Sequence, residues 1–404
     1  MNQTDQIITP HTVSATTKFN YDILIDQFGL KPINEKLVDQ IKGISGDNVH
    51  HFIDRNIFYA HQDFDKILEA KKSGKEIYIY TGRGPSADAL HLGHLVPIMF
   101  TIWLQQILDC WVVIEMSDEE KFYFKDGCLD EFMAYTENNT KDIIACGFNP
   151  DKTFIFSSFK YERYMRPLVA QINKKMSVHV TKNVYGFTDE NSIGQLSWAP
   201  YQMGPALCGA FPHLFGNKKD VMCLVPCAID QVPYFRITRD IAEFMGYPKP
   251  ALICSKFLVG LQGVNHKASS TSQIPPIFLS DSELIINKKI MSYAFSGGGD
   301  TLESHRKNGG NLEVDVPYIY LSHFLENTSE LNHIAQAYSG GHMLTGEIKK
   351  RLVKLLIQIL GDHAINRKEI TSEIYNKFFT MIVQPDCRDF FKKFSEKYID
   401  ITIV

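Results

Sequence analysis

The sequence is poor in the features that mark secreted, disulfide-rich or membrane-spanning proteins. It has eight cysteines among 404 residues, and the closest two, Cys223 and Cys227, have three residues between them instead of the two typical of a zinc knuckle. No apolar run approaches the roughly 20 residues that a membrane-spanning helix needs. The first residues lack the basic and apolar regions of a secretory signal. We therefore expect reduced thiols, no metal-ligand set, no membrane association and a cytoplasmic location.

A strong charge bias is also missing. The 42 Lys and Arg residues nearly balance the 46 Asp and Glu residues, which gives a formal net charge of −4. This balance excludes a uniformly basic surface, but a local lysine patch can still bind a phosphate backbone. The hydrophobic content of 44% is ordinary for a globular protein, and a chain of this length predicts two or three domains.

Apolar patterning and turn residues divide the chain into three parts. Residues 1–75 are polar and interrupted, which predicts a short N-terminal extension of helices and turns outside the core. Residues 76–280 alternate strand-like with helix-like segments, which predicts an α/β domain with a mostly parallel, doubly wound sheet. Residues 281–404 have helical periodicity broken by glycine clusters, which predicts a C-terminal helical domain and tail.

The expected elements of the α/β domain follow from the same patterns. The predicted strands cover residues 77–80, 111–116, 153–156, 222–229 and 251–254, and the predicted helices cover residues 91–108, 131–146 and 233–245. In the C-terminal domain the predicted helices cover residues 282–294, 318–325, 330–337 and 347–360. Sites in a doubly wound sheet lie at the carboxyl ends of its strands, so polar motifs at those ends are the candidate site residues.

The first motif is a pair of histidines where a glycine-rich turn passes into a helix. His91 and His94 stand at positions i and i+3 with Gly93 between them, so both imidazoles point the same way. The helix N-terminus adds free N–H groups and a partial positive charge. This arrangement suits the phosphates of ATP. The alternative is a pair of histidines bonded inside a core, or half of a metal site.

Two further motifs follow later strands. Asp230 and Gln231 close an apolar strand, where an acid can accept from ribose hydroxyls and an amide can both donate and accept. The alternative is that Asp230 caps the next helix. Lys267 begins the sequence KASST, where a lysine among small hydroxyl residues can reach phosphates. The alternative there is a polar surface loop.

Read together, the motifs resemble those of class I aminoacyl-tRNA synthetases, in which a HIGH motif precedes a KMSKS motif. The stretches TGRGPSADALHLGH, KDIIACGF, CAIDQVPYFRITRD, GYPKPALI and VDVPYIYL are similar to the eukaryotic-type tryptophanyl-tRNA synthetases, from about residue 9 to residue 378. The resemblance implies a Rossmann-like catalytic domain and a helical anticodon-binding domain. It also implies activation of L-tryptophan with ATP and Mg²⁺, transfer to tRNA(Trp), and a homodimer.

The resemblance assigns roles residue by residue. The catalytic positions are matched by His91, His94 and Lys267. The ATP-binding positions are matched by Gly82, Arg83, Gly93, Asp230 and Ser269. The tryptophan-binding positions are matched by Tyr80, Glu115, Glu120, Gln202, Val225, Cys227, Gln231 and Phe235. The anticodon-contacting positions are matched by Phe295, Asp300 and Lys349.

The chain departs from the family pattern in several places. Glu115 replaces the glutamine beside the indole ring, and a carboxylate accepts from a phenol O–H as well as from an indole N–H. The KMSAS loop has become KASST, with Ala268 and Thr271 in place of Met and Ser, and Gly299 stands where the family has Arg. The tail from Thr380 is longer than in the family, and residues 9–13 match a hairpin that lies over ATP.

Three other functions stay open on this reasoning. A tyrosyl-tRNA synthetase shares the fold and differs at Glu115 and its neighbours. A nucleotidyltransferase uses the same histidine turn on another acceptor. A non-catalytic paralogue binds nucleotide or partner proteins without turnover. Exchange of pyrophosphate into ATP with different amino acids separates these functions.

Overall fold

A computed structural model of the chain describes residues 6–8, 13–15, 19–269 and 273–399. The strands are β1 (Gln6–Ile8), β2 (Val13–Ala15), β3 (Lys31–Pro32), β4 (Phe58–Gln62), β5 (Ile77–Arg83), β6 (Trp111–Met116), β7 (Thr153–Ser157), β8 (Met222–Ala228), β9 (Ala251–Ser255), β10 (Val259–Gly260) and β11 (Gly263–Lys267). The helices of the first half are α1 (Tyr21–Phe28), α2 (Glu35–Ser45), α3 (His51–Asp54), α4 (Phe64–Lys72), α5 (Leu92–Leu108), α6 (Asp118–Phe124), α7 (Leu129–Ala145), α8 (Ser158–Asn173) and α9 (Val178–Tyr185). Those of the second half are α10 (Ile193–Met203), α11 (Pro212–Phe215), α12 (Val232–Met245), α13 (Glu283–Tyr293), α14 (Leu302–Asn308), α15 (Val316–Phe324), α16 (Thr328–Ser339), α17 (Thr345–Lys368), α18 (Ser372–Phe379) and α19 (Arg388–Tyr398).

The centre of the molecule is a seven-stranded sheet in the order β3-β4-β9-β8-β5-β6-β7. The strands from β5 to β9 run parallel, and β3 and β4 are added antiparallel at one side. The chain builds outward from β5 to β6 and β7, then returns to the other side of β5 to form β8 and β9. This reversal places a topological switch point between β5 and β8, the position where ligands bind in doubly wound sheets. The predicted fold class is confirmed.

The predicted elements are observed with small changes at their ends. Strand β6 has the predicted bounds, β5 extends to Arg83, and α17 continues to Lys368. Helix α5 is apolar on most sides because it packs between the sheet and other helices, with Leu95, Leu104 and Leu108 all buried. None of the described helices combines the length and the apolar character needed to cross a membrane.

The expectation that residues before 76 lie outside the core is wrong for the segment from β3 to α4. Strand β4 pairs antiparallel with β9, and Phe58 and Ile67 are fully buried. The apolar pattern did not reveal β4 because His61 lies within it. His61 is buried, and its Nδ1 accepts a hydrogen bond from the Phe64 N–H at 3.3 Å. A buried polar residue with a local partner is stable in a core strand but does not look apolar in a sequence.

The C-terminal helices contact the α/β domain at several places, through α17, α18 and α19. Arg367 at the end of α17 donates to Asp142 of α7 at 2.7 Å. Helix α18 lies against β7, an edge strand of the sheet, and so covers backbone groups that an open edge would expose. The ring of Phe391 in α19 stacks on Tyr164 of α8 with centroids 6.3 Å apart. Residues 381–399 therefore pack largely with the α/β domain.

Two small hairpins lie beside the carboxyl ends of the strands. Strands β10 and β11 pair antiparallel, and β1 pairs antiparallel with β2. Strand β2 lies against β11, the strand that ends at Lys267. The hairpin predicted to lie over ATP includes residues 9–12, and the KASST loop includes residues 270 and 271. These residues of the two segments fall outside the described parts of the chain.

Candidate active site

A cleft of about 810 Å³ opens at the carboxyl ends of the strands that flank the switch point. It is lined by residues of β5, β6 and β8, by the start of α5, and by the end of β11. Every residue predicted to act in catalysis, ATP binding or tryptophan binding contributes to this lining. The structure therefore brings together residues that are up to about half the chain apart, because parallel strands end at one edge of the sheet.

The histidine turn forms the N-terminal end of α5. His91 is the N-cap residue, and its Nδ1 accepts from the Gly93 N–H at 3.1 Å. The His91 N–H in turn donates to His94 Nδ1 at 3.2 Å, and the two rings lie 3.6 Å apart. A Cβ at Gly93 would lie 2.9 Å from the His91 ring. Glycine is required there because the N-cap imidazole folds back over the first turn.

Both histidines are held in the neutral form. Burial, Arg83 and Lys267 lower the pKa of His91 to about 3. Burial and the adjacent Arg83 lower the pKa of His94 well below its ordinary value. Near neutral pH the Nδ1 atom of each imidazole accepts a backbone N–H, and the positive charge of this corner resides on Arg83 and Lys267. Among the described residues no cluster of three or more His, Cys, Asp or Glu side chains could hold a metal ion.

Arg83 ends β5 and is fixed by its neighbours. Its Nη1 lies 2.9 Å from His94 Nε2, and its Nε donates to Asn139 Oδ1 at 3.0 Å. Asn139 is fully buried in α7, and its own Nδ2 donates to the carbonyl of Ala87 at 2.8 Å. The buried Arg83 Nη2 has no partner among the described residues. An oriented guanidinium with a spare donor is suited to a phosphate oxygen.

Asp230 and Lys267 meet across the cleft. Lys267 Nζ donates to Asp230 Oδ2 at 2.6 Å, while the buried Asp230 Oδ1 has no partner in the described part of the chain. The capping alternative for Asp230 is wrong, since Gln231 occupies the N-cap of α12 and Asp230 lies in the preceding 3-10 turn. The surface-loop alternative for Lys267 is also wrong, since Lys267 ends strand β11.

The lysine segment touches the histidine turn directly. A Cβ placed on Gly93 would lie 3.6 Å from the Cβ of Ala268, the residue after Lys267. Ala268 is buried, and its N–H donates to the Leu258 carbonyl at 2.9 Å. The small residue that replaces the family's methionine therefore packs against the small residue of the histidine motif.

The other half of the cleft is a slot with aromatic and apolar walls. Tyr80 and Phe235 meet edge to face with centroids 6.3 Å apart, and Val225 and Cys227 complete the same wall. Glu115 lies at its end and is 1% exposed. Its Oε2 accepts from the Tyr80 hydroxyl at 2.5 Å and its Oε1 accepts from Ser158 Oγ at 2.8 Å.

Polar groups at the rim of the slot are partly paired. Glu120 accepts from Lys121 Nζ at 2.7 Å and from Ser117 Oγ at 3.2 Å. Gln202 and Gln231 are half-buried and line the cleft. A carboxylate and two amides at the rim can bind the ammonium and carboxylate groups of an amino acid, with the apolar slot beneath them.

Several lining or supporting residues had no signal in the sequence. Asn139 lies inside a helix, and Ser158 begins one, so neither ends an apolar strand. Trp198 lines the cleft, and its buried Nε1 has no partner within the described residues. Lys121 also lines the cleft, and its side chain covers Gly84, where an added Cβ would collide with it. The run of acids before Lys121 could have drawn attention to it.

The three predicted anticodon residues lie outside the cleft lining. Phe295 is 48% exposed and Asp300 is exposed, while Lys349 is half-buried with its Nζ donating to the Met291 carbonyl at 3.3 Å. The Phe295 N–H donates to the Leu261 carbonyl at 2.8 Å, which ties this segment to the hairpin that carries Lys267. Their contact with an anticodon stays a prediction.

Comparison with known proteins agrees with the geometry. Residues 71–361 match the model of the class I tRNA synthetases for W and Y. The chain is 46% identical to the cytoplasmic tryptophan–tRNA ligase of Arabidopsis thaliana, over 94% of this chain and 95% of that one. It is 45% identical to the cytoplasmic tryptophan–tRNA ligase of Oryctolagus cuniculus, over 93% of this chain and 80% of that one.

Solved structures give the same result. The tryptophanyl-tRNA synthetase of Plasmodium falciparum superposes with a TM-score of 0.86 at 42% identity, over 91% of this chain and 99% of that one. A synthetase of Encephalitozoon cuniculi bound to tryptophan superposes with a TM-score of 0.83 at 34% identity, over 90% of this chain and 98% of that one. With the motifs gathered in one cleft and the match extending over most of its length, the chain belongs to the tryptophan–tRNA ligase family of class I aminoacyl-tRNA synthetases.

Proposed function

We propose that the protein activates L-tryptophan with ATP and then transfers the tryptophanyl group to tRNA(Trp) in the cytoplasm. One observation carries the proposal: the histidine turn, Arg83, Lys267 and Asp230 meet in one cleft beside an aromatic slot that ends in the buried acceptor Glu115. The relatives that share this sequence are named as cytoplasmic tryptophan–tRNA ligases.

In the activation step, a carboxylate oxygen of tryptophan attacks the α-phosphorus of ATP. The new P–O bond forms as the bond to the leaving pyrophosphate breaks, so no protein nucleophile is needed. Arg83 and Lys267 stabilise the charge that moves onto the phosphates, and the neutral imidazoles of His91 and His94 add hydrogen bonds. Asp230 then accepts from a ribose hydroxyl through the oxygen that has no partner within the described chain.

In the transfer step, a hydroxyl of the terminal adenosine of tRNA takes the tryptophanyl group and AMP leaves. In this proposal the second substrate is MgATP, because the phosphate side of the cleft offers the cations Arg83 and Lys267 to the nucleotide. Its Mg²⁺ would be carried by the phosphate oxygens.

The helical region would recognise the tRNA. In this proposal the residues up to 280 serve catalysis, and the residues from 281 include the anticodon contacts of Phe295, Asp300 and Lys349. The exposed ring of Phe295 is available for stacking on a base, and an exposed carboxylate and a lysine nearby supply polar contacts.

A homodimer is part of the proposal. Val178 of α9 is 65% exposed and Ile193 of α10 is 84% exposed, and these two helices contact each other. Apolar side chains this exposed on neighbouring helices are suited to burial against a second copy of the chain. Sedimentation at micromolar concentration should report twice the chain mass.

Tryptophan-dependent exchange of labelled pyrophosphate into ATP tests the activity. We expect exchange with tryptophan to exceed exchange with tyrosine, because the smaller phenol ring leaves part of an apolar slot for an indole unfilled even where its O–H reaches Glu115. Stronger exchange with tyrosine would support the tyrosyl alternative. Binding of tRNA with no exchange by folded protein would reject the catalytic function.

A further inference from the structure

The carboxyl group of Glu115 is unusual in having only hydroxyl partners. Its two oxygens accept from the Tyr80 and Ser158 hydroxyls, and within the described residues it forms no ion pair. A buried carboxylate without a cation is costly, because burial favours the neutral acid. The group nevertheless stands at the end of the slot, where the ring of the amino acid would meet it.

The network around Glu115 can accommodate a proton. Ser158 Oγ lies 2.8 Å from Glu115 Oε1 and also 3.3 Å from the Met116 carbonyl, so this hydroxyl has two alternative acceptors. When Glu115 is ionised, Ser158 donates to it. When Glu115 is protonated, Ser158 can turn to the Met116 carbonyl and accept the carboxyl proton, so both states of Glu115 have satisfied hydrogen bonds.

We propose that Glu115 selects the indole N–H in a proton-dependent way: the ionised carboxylate accepts the N–H strongly, and the protonated acid accepts it only weakly. This inference rests on the proposed function and adds the residue and the protonation state that determine side-chain selectivity. A glutamine at this position would accept the same N–H in a single, uncharged form. The replacement of glutamine by Glu115 therefore makes recognition of the substrate ring depend on pH.

The charged groups around Glu115 are consistent with ionisation near neutral pH. Tyr80 on β5 stays neutral, since its burial and the nearby carboxyl raise its pKa well above the ordinary value. Helix α6 contributes the acids Glu119 and Glu120, and α8 contributes the uncharged Ser158. Burial outweighs the two hydroxyl hydrogen bonds and raises the pKa of Glu115 to about 7.

The sign of the effect follows from these contacts. An indole N–H donated to Glu115 favours the ionised form, so tryptophan binding near pH 7 releases a proton. Above that pH the carboxylate is already ionised, and a hydrogen bond to a charged acceptor is stronger than one to a neutral acid. Selectivity for a ring that carries an N–H should therefore rise between pH 6 and pH 8 by roughly fivefold.

The experiment compares tryptophan with benzothienylalanine, an isostere in which sulfur replaces the ring N–H. Pyrophosphate exchange gives kcat/KM for each at pH 6, 7 and 8, and the ratio of the two cancels the titration of ATP and of groups that both substrates meet alike. We expect the ratio to rise roughly fivefold in the wild type and to stay flat in Glu115→Gln. A flat wild-type ratio, or an equal rise in Glu115→Gln, would overturn the inference.

Glu119→Gln is the matched control. Burial and the neighbouring Glu162 raise the pKa of Glu119 to about 7 as well, but Glu119 does not line the cleft. Because the Glu119 charge raises the pKa of Glu115, this variant should keep the rise in the ratio but displace it to lower pH. Complete loss of the rise in Glu119→Gln at every pH would assign the effect to the wrong acid. Absence of exchange with either amino acid would instead be a failure of the proposed function itself.

A measurement on the wild type alone guards against a variant that does not fold. Calorimetric titration of tryptophan at pH 7, in two buffers of different ionisation enthalpy, counts the protons released on binding. We expect a measurable fraction of a proton released with tryptophan and less with benzothienylalanine. Equal proton counts for the two ligands would contradict the assignment to the ring N–H.

Discussion

The two halves of the cleft are organised in opposite ways. In the amino-acid half, around Tyr80, Glu115 and Ser158, the polar groups are buried and bonded to one another. In the nucleotide half, around Arg83, Asp230 and Lys267, the charged groups are only partly paired. Lys267 pairs with Asp230, but Arg83 Nη2 and Asp230 Oδ1 have no partner in the described chain. The first half is shaped for a neutral ring, and the second is shaped for charge.

This difference indicates how each substrate is bound. The end of the slot needs little rearrangement to take an indole, because Tyr80 and Ser158 already donate to Glu115 and the ring adds one hydrogen bond to that carboxyl group. A nucleotide must instead replace the contact between Lys267 and Asp230, so that one group reaches phosphate and the other reaches ribose. Variants in the two halves should therefore have separable effects on rate and on amino-acid affinity.

The largest effect is expected from Lys267→Ala. Loss of this cation removes stabilisation of the charge that builds up on the phosphates, and removal of one such group typically costs about a hundredfold or more in kcat. Tryptophan affinity should stay close to that of the wild type, because Lys267 belongs to the nucleotide half. Pyrophosphate exchange measures the rate, and calorimetric titration measures the affinity.

Lys249→Ala is the control for the lost charge. Lys249 pairs with Glu243 at 2.8 Å and does not line the cleft, so its removal should leave both quantities near their wild-type values. If Lys267→Ala weakened tryptophan binding as much as it slowed exchange, the division of the cleft into two halves would be incorrect.

A smaller effect is expected from Asn139→Ala. Asn139 positions Arg83 through its Oδ1 and is held in turn by the Ala87 carbonyl. Without it, the guanidinium loses a fixed orientation, and we expect the KM for ATP to rise about tenfold, while the KM for tryptophan changes little. Steady-state exchange at varied ATP and varied tryptophan measures both constants.

The neighbouring Asn138 supplies a matched comparison. Asn138 is half-buried, donates to Asp88 Oδ1 at 2.7 Å and accepts from Arg367 Nη2 at 3.4 Å, and within the described residues no hydrogen bond joins it to Arg83. Asn138→Ala should keep the wild-type KM for ATP. A parallel rise in both Michaelis constants for Asn139→Ala would indicate a general loss of structure in place of a positioning role.

The meeting of the nucleotide-half residues in one cleft could be expected only in part from apolar patterning. Asp230 follows the apolar strand β8, and His91 begins the helix after β5; the parallel order of these neighbouring strands brings such positions together whatever their separation along the chain. Lys267 instead ends β11, a largely polar strand that the apolar pattern did not predict. The resemblance then supplied the residues of the slot. Their placement around one cleft follows the predicted strand ends, although their roles stay predictions.

The supporting residues could not be predicted in this way. Asn139 reaches Arg83 from the middle of α7, where no local pattern distinguishes it from other polar residues. Strand β4 was missed because His61 interrupts its apolar character, although Phe58 is fully buried. Both depend on contacts between segments far apart in sequence, and such contacts are fixed only when the whole sheet is assembled.

The smallest effect, and the sharpest one within the amino-acid half, is expected from Ser158→Ala. The hydrogen bond from Ser158 lowers the pKa of Glu115, so its removal should raise that pKa above about 7. The pH at which selectivity for the ring N–H develops should then move upward, and at pH 7 the preference for tryptophan over benzothienylalanine should fall roughly twofold. The KM for ATP should not change.

Ser158→Thr keeps the hydroxyl and should restore the wild-type profile. A shift to lower pH would show that Ser158 does not stabilise the ionised carboxylate, and a wild-type profile in Ser158→Ala would leave Tyr80 as the hydroxyl that controls it.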